Sequence, residues 1–337
     1  MRLNEVTLER FLLTILLVAY HAFAIYCGKW DEPEGFQLVW GYDWFAWICY
    51  SFLLESFVLI SGYIYAYQLK KNPTKGLLKN IVISKGKRLL IPSFFFSVLY
   101  LIIIKRTPFN WGDVVTCIFG IGHLWFLGML FWVFVLSWVI LKLHISRTLK
   151  FLILSVLAIV SYIPIPFNIY IALYYLLWFH IGYELYEYRN SLYTIIEYKH
   201  MYVWIVFAVV FVVIKPYNLY FAEQTATSDV LMKAVYLSLR QITRILYAFA
   251  GSISLFVSCV LITKRIVNLP SLVSFVSVNS MGVYVFQQFV LKYLYYQTEF
   301  PTIIGYYWLP IISFIIAFSL SLLLSVIVRR FTGNLIF

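Results

Sequence analysis

Ionisable side chains inside long apolar stretches are the first residues in this chain with a chemistry to explain. Burying such a group in a bilayer costs several kcal/mol unless it finds a partner or a water-filled cavity. Arg10 and His21 share one such stretch. Eleven helical residues bring them to within about 20° of one face, roughly 16 Å apart along the axis. Imidazole titrates near neutrality and suits proton abstraction from a hydroxyl. A snorkelling flank charge and a packing histidine are the plainer readings of the same two residues. The next apolar stretch holds Glu55, followed seven residues on by Gly62, so both lie on one helical face. A carboxylate there requires a cation, a proton or a donor. The glycine permits a close helix approach or contact with a ligand.

Positions 69–92 carry seven basic residues and no acid. Such a run marks topology and attracts anionic lipid. Its cluster Lys85-Gly86-Lys87-Arg88 is equally suited to the phosphates of a cytoplasmic ligand. His123 and Trp125 open a further apolar run. Gln287 and Gln288 are buried amides that need partners. His180 reads as structural. Cys27, Cys49, Cys117 and Cys259 have no metal-like spacing and read as small buried hydrophobes.

The elements that must position these groups follow from composition. Of 337 residues, 63% are apolar, 20% aromatic and only 12% charged. Soluble domains run nearer half apolar and a quarter charged, so the expected fold is an all-α, polytopic membrane helical bundle. Ten spans are predicted, at about 7–27, 44–67, 88–104, 121–141, 149–163, 168–186, 201–214, 242–262, 271–296 and 306–328. The first is expected to be a retained helix and not a cleaved signal. Residues 107–117 read as a re-entrant or interfacial piece, and 228–247, with Lys233, Arg240 and Arg244, as an amphipathic helix on the outer surface or against the bundle. Pro216, like most prolines here, is expected in or near a connection. With both termini cytoplasmic, 18 Lys and Arg fall inside, Arg2 among them, against 8 outside, Lys292 among these. The net charge of +12 is thus a topology signal and does not point to nucleic acid. A single domain over 1–337 is expected, in the inner or plasma membrane and in contact with lipid.

The order of these motifs resembles the acyltransferase-3 family of integral membrane O-acyltransferases. Arg10 and His21 match its Arg-x10-His signature. Glu55-Ser56-Phe57-Val58-Leu59-Ile60-Ser61-Gly62-Tyr63 looks like its second-helix motif. Lys85-Gly86-Lys87-Arg88-Leu89-Leu90-Ile91-Pro92 is similar to its basic motif. His123-Leu124-Trp125-Phe126-Leu127 and Asn279-Ser280-Met281-Gly282-Val283-Tyr284 are similar to two further segments. Two departures stand out: Gln287 replaces a histidine common in the family, and Lys85 replaces the first arginine of the basic motif.

The resemblance implies transfer of an acyl group, commonly acetyl from acetyl-CoA, to a hydroxyl of an extracytoplasmic or lipid-linked carbohydrate. His21 would be the catalytic histidine, as general base or as a transient acyl carrier. Arg10 would organise the site, and Glu55 would orient or balance His21. Lys85, Lys87 and Arg88 would bind acyl-CoA. Ser61, Gly62, His123, Trp125, Tyr284 and Gln287 would line the substrate pocket, with Ser61 or Arg10 as candidate oxyanion donors. Neither a metal nor a permanently bound cofactor is required, and self-association as a homodimer is left open. The rival reading is an ion-coupled transporter or flippase for a carbohydrate or carboxylate. A third, a scaffold within a polysaccharide-assembly complex, makes Arg10 and His21 dispensable.

Overall fold

The computed structural model describes residues 3–199, 202–266 and 268–332. Arg2, counted above among the inner basic residues, and residue 201, the start of one expected span, lie outside them. The described residues are mostly helical, with no strand among them. In chain order the α-helices are α1 (Asn4–Ala22), α2 (Tyr42–Tyr50), α3 (Leu53–Lys71), α4 (Leu78–Lys85) and α5 (Ile91–Tyr100). There follow α6 (Val114–Phe119), α7 (Trp125–Lys142), α8 (Arg147–Ile159), α9 (Ile169–Glu187) and α10 (Arg189–Lys199). The last are α11 (Val203–Thr227), α12 (Val230–Arg265), α13 (Ser271–Tyr296), α14 (Phe300–Ile304) and α15 (Leu309–Thr332).

Among the described residues, six helical stretches are long and apolar enough to cross a bilayer: Tyr42–Lys71, Leu78–Lys105, Gly122–Lys142, Val203–Ala226, Val230–Arg265 and Leu309–Thr332. Val209, Val212 and Val213 on α11 and Ile315, Leu320 and Leu323 on α15 stand exposed. Water would not tolerate those stripes, whereas lipid tails cover them. Helices α1 and α13, of 19 and 26 residues, are long enough but more polar. They carry Glu9 and Arg10, and Asn279, Gln287 and Gln288, respectively.

Two expectations need correction. Residues 228–247 form no separate amphipathic helix: α12 runs unbroken for 36 residues. Asp229 caps its start by accepting from the Met232 amide at 2.8 Å, and no Pro or Gly interrupts 230–250. Pro216 lies within α11 and not in a connection. Two residues on, Asn218 donates to the Arg240 carbonyl and the Thr243 hydroxyl, both at 2.8 Å, and ties that turn to α12. Helix α8 has only 13 residues, about 20 Å, short of a full crossing.

The chain folds as two compact units, each assembled from discontinuous segments. The first comprises 1–53, 87–128 and 268–337; the second comprises 54–86 and 129–267. In the first unit α1 and α13 end together, where the Tyr295 hydroxyl donates to the Ala22 carbonyl at 2.6 Å. Helix α15 runs the opposite way, since the Ser325 hydroxyl lies 3.1 Å from the Asn279 amide oxygen and Arg329 reaches the Val278 carbonyl. The start of α1 and the finish of α15 therefore share one end of this unit.

The second unit is held by small-residue contacts, as helices packed in lipid should be. A Cβ on Gly62 would lie 1.9 Å from the Phe179 carbonyl oxygen, and one on Gly182 would lie 1.8 Å from that of Leu59. The two glycines thus let α3 and α9 touch backbone to backbone. Gly62→Ala is expected to force these helices apart and cost about 1–3 kcal/mol. Thermal unfolding of the purified protein reads the loss; an unchanged transition would show that the contact yields freely.

Candidate active site

Helix α1 carries the axis of the site through the first unit. Its apolar positions, Leu13, Leu17 and Val18, are buried. Arg10 and His21 are each half-buried. The Nδ1 of His21 is sealed and has no hydrogen-bond partner. The Leu17 backbone, one turn back in α1, also acts on the ring. The imidazole stacks on Trp30, with centroids 5.7 Å apart and planes 21° apart. His123 and Lys292 are close enough to interact electrostatically with it.

Two glycines shape the turn that delivers His123. Gly120 has φ +96° and Gly122 has φ +59°, both in the region that side chains disfavour. Gly122 also has the Tyr100 ring where a Cβ would sit. His123 is then clamped between neighbours. Its Nε2 lies 2.9 Å from the Val285 carbonyl, which can only accept, so Nε2 carries the proton and the sealed Nδ1 is left with a lone pair. The Tyr284 hydroxyl donates to the His123 carbonyl. Gln287 is fully buried, and its Oε1 has no partner. Trp125 is half-buried at the start of α7, its ring edge-on to Phe126. The pocket candidates His123, Tyr284 and Gln287 thus cluster in the first unit with His21.

The other end of α1 is basic. Arg10 interacts electrostatically with Arg88, and neither guanidinium has a carboxylate partner among the described residues. Lys87 and Arg88 are exposed on a π-helical turn, Gly86–Leu90, an irregularity common at functional sites. Two adjacent cations without an acid repel, and an anion relieves that repulsion. Glu9, beside Arg10 in sequence, is fully buried with neither carboxylate oxygen bonded. Sequence reading passed over this group, although its position in an apolar helix was the available signal.

The remaining candidates lie in the second unit. Lys85 places its ammonium 3.9 Å from the centre of the Phe134 ring. Ser61 donates to the Phe57 carbonyl at 2.8 Å, so its proton is already engaged within its own helix. Gly62 serves the helix contact described above. Glu55 is 1% exposed, and the cation paired with it is Arg244. The Arg244 Nη2 and Nε donate to Glu55 Oε1 at 2.8 and 3.2 Å, and the Tyr174 hydroxyl donates to the same oxygen at 3.1 Å. Arg244 also lies over the Tyr174 ring at 4.3 Å and donates to the Tyr175 hydroxyl at 3.1 Å. Glu55 Oε2 is buried without a partner. Reading Arg244 as part of a separate amphipathic helix hid this pair. An arginine in the middle of a long apolar helix was the missed signal.

Cys49, Cys117 and Cys259 are buried, as small hydrophobes are. His180 is wholly buried between Phe179 and Tyr183, with neither ring nitrogen bonded.

Comparison with characterised proteins and with solved structures finds no match for the chain. The profile of the acyltransferase domain matches residues 3–330, through both compact units. The chain belongs to the acyltransferase-3 family.

Proposed function

We propose that the protein transfers an acyl group, acetyl foremost, from cytoplasmic acyl-CoA to a hydroxyl of an extracytoplasmic or lipid-linked carbohydrate, in the cell membrane. The observation that carries this reading is the polarity of α1. At one end Arg10 meets Arg88, with no carboxylate in ion-pair range of either among the described residues; at the other the half-exposed His21 imidazole stacks on Trp30. The two ends lie about 16 Å apart, the scale of a pantetheine arm. Phosphates held by Arg10, Lys87 and Arg88 would leave the thioester within reach of His21.

The chemistry then needs few parts. His21 Nε2 takes the proton of the acceptor hydroxyl as its oxygen attacks the thioester carbonyl. The tetrahedral intermediate collapses, its C–S bond breaks, and the imidazolium returns the proton to the leaving CoA thiolate. The products are an ester and free CoA. No permanently bound cofactor enters these steps. The family match, which runs through both compact units, supports reading them as one acyltransferase domain.

The double substitution Lys87→Ala with Arg88→Ala tests the donor end. Removing two phosphate-pairing cations is expected to raise KM for acyl-CoA about tenfold or more, with kcat changing much less. Steady-state kinetics with labelled acetyl-CoA separates the two parameters. An unchanged KM would reduce the basic turn to a topology and lipid signal.

A further inference from the structure

Lys292 has no place in the steps above, yet it stands beside them. It projects from α13, one turn before the Tyr295 contact that joins the ends of α1 and α13. Its ammonium lies 5.1 Å from the centre of the Trp30 ring and 5.7 Å from that of Tyr100. Trp30 stacks on His21, and the Tyr100 ring packs edge-on to His123 at 5.8 Å. The cation therefore sits among two aromatic rings and two imidazoles. Among the described residues no carboxylate lies within ion-pair distance of it.

Lys292 is half-buried, and Trp30 and His21 are half-exposed, so the group is reachable from outside the packed core. An ammonium has three donors and no acceptor capacity, and ring faces satisfy it only in part. A cation held this way is completed by an anion brought by a ligand. The donor's phosphates are assigned to the opposite end of α1, and only its uncharged acyl-pantetheine portion would reach His21. The tetrahedral oxyanion exists only transiently and cannot offset the cost of holding the cation in the resting protein. The anion left is one carried by the acceptor. Flat aromatic walls beside a cation suit a sugar ring bearing a carboxylate.

We propose that Lys292, walled by Trp30 and Tyr100, selects an acidic acceptor, a glycan bearing a carboxylate beside the hydroxyl presented to His21. This specificity rests on the acyl-transfer reading above, but its binding step can be measured without any transfer.

Methyl glucuronoside and methyl glucoside differ only at C6, carboxylate against hydroxymethyl, and serve as the probes. Binding to the purified full-length protein is followed by calorimetry and by Trp fluorescence without acyl-CoA; ester formation is followed separately. The expected result is a preference of about tenfold or more for the glucuronoside. It should be lost in Lys292→Gln, kept in Lys292→Arg and reversed in Lys292→Glu. Equal binding of the two glycosides by the unaltered protein, or a preference that survives Lys292→Gln, overturns the proposal. So does an equal loss of kcat toward both glycosides with their ratio intact, which would assign Lys292 to the oxyanion. Charge-selective binding that depends on Lys292 without ester formation would support this site and sink acyl transfer.

Discussion

Replacing His21 with alanine is expected to cut acyl transfer by about 10²–10⁴-fold, the usual contribution of a positioned general base, while the protein still inserts and accumulates. The second half of that expectation comes from burial. His21 is half-exposed, its Nδ1 has no hydrogen-bond partner, and the one polar neighbour the ring loses is the Leu17 backbone within its own helix. Its loss therefore breaks no tie to another helix, and Leu13, Leu17 and Val18 still hold α1 in place. Trp30 loses one stacking partner and keeps its edge contact with Tyr295. His21→Gln should be as inactive as the alanine variant, because an amide does not act as a base at neutral pH. Initial rates at saturating acyl-CoA, on samples matched by size-exclusion profile, provide the check. Near-normal turnover in either variant would remove the proposed base.

Arg244→Ala should be the most destabilising single change in the second unit, costing about 3–5 kcal/mol. The cost does not measure the worth of the ion pair itself. Removing Arg244 strands Glu55, which is 1% exposed, with Tyr174 as its remaining donor. A buried unpaired carboxylate is the expensive state, so neutralising it should recover most of the loss. Glu55→Gln combined with Arg244→Ala is accordingly expected to unfold at a higher temperature than Arg244→Ala alone. The double-mutant cycle, read by thermal unfolding in detergent, should show a coupling above about 1 kcal/mol. Strict additivity would mean that Glu55 is already neutral and owes little to Arg244. The same double variant tests the expected role of Glu55 in the reaction. If Glu55 only anchors α3 to α12, restored folding should restore transfer; if it acts on substrate, the stable protein stays inactive.

Much of this architecture was readable from residue types because lipid imposes simple rules. Long apolar stretches with few charges mark helices whatever they pack against, and an eleven-residue spacing fixes the shared face of Arg10 and His21 without any tertiary knowledge. Partners from distant parts of the chain were not readable. Glu55 demanded a cation, but periodicity ranks only neighbours on the same helix, and Arg244 lies 189 positions away. Lys233, Arg240 and Arg244 alternating with leucines imitate an interfacial helix. The absence of any breaker over 230–250 was the contrary signal, and it predicts the single long α12. Pro216 was placed in or near a connection because proline usually ends helices, yet α11 passes through it. Lys292 entered only as a charge in a topology count, because nothing in its neighbourhood of sequence reveals Trp30 or Tyr100. The division into two units is equally hidden, since each draws on segments that are discontinuous in the chain, in the first unit across residues 129–267.

The most direct test incubates the purified protein with acetyl-CoA labelled in the acetyl group and a carbohydrate acceptor, then assays for alkali-labile label on the sugar and for free CoA. Stoichiometric ester and CoA from the unaltered protein, and neither above background from His21→Ala, is the predicted result. An intact thioester and unmodified sugar, with the sugar instead crossing the bilayer of reconstituted vesicles, would contradict it and identify a transporter.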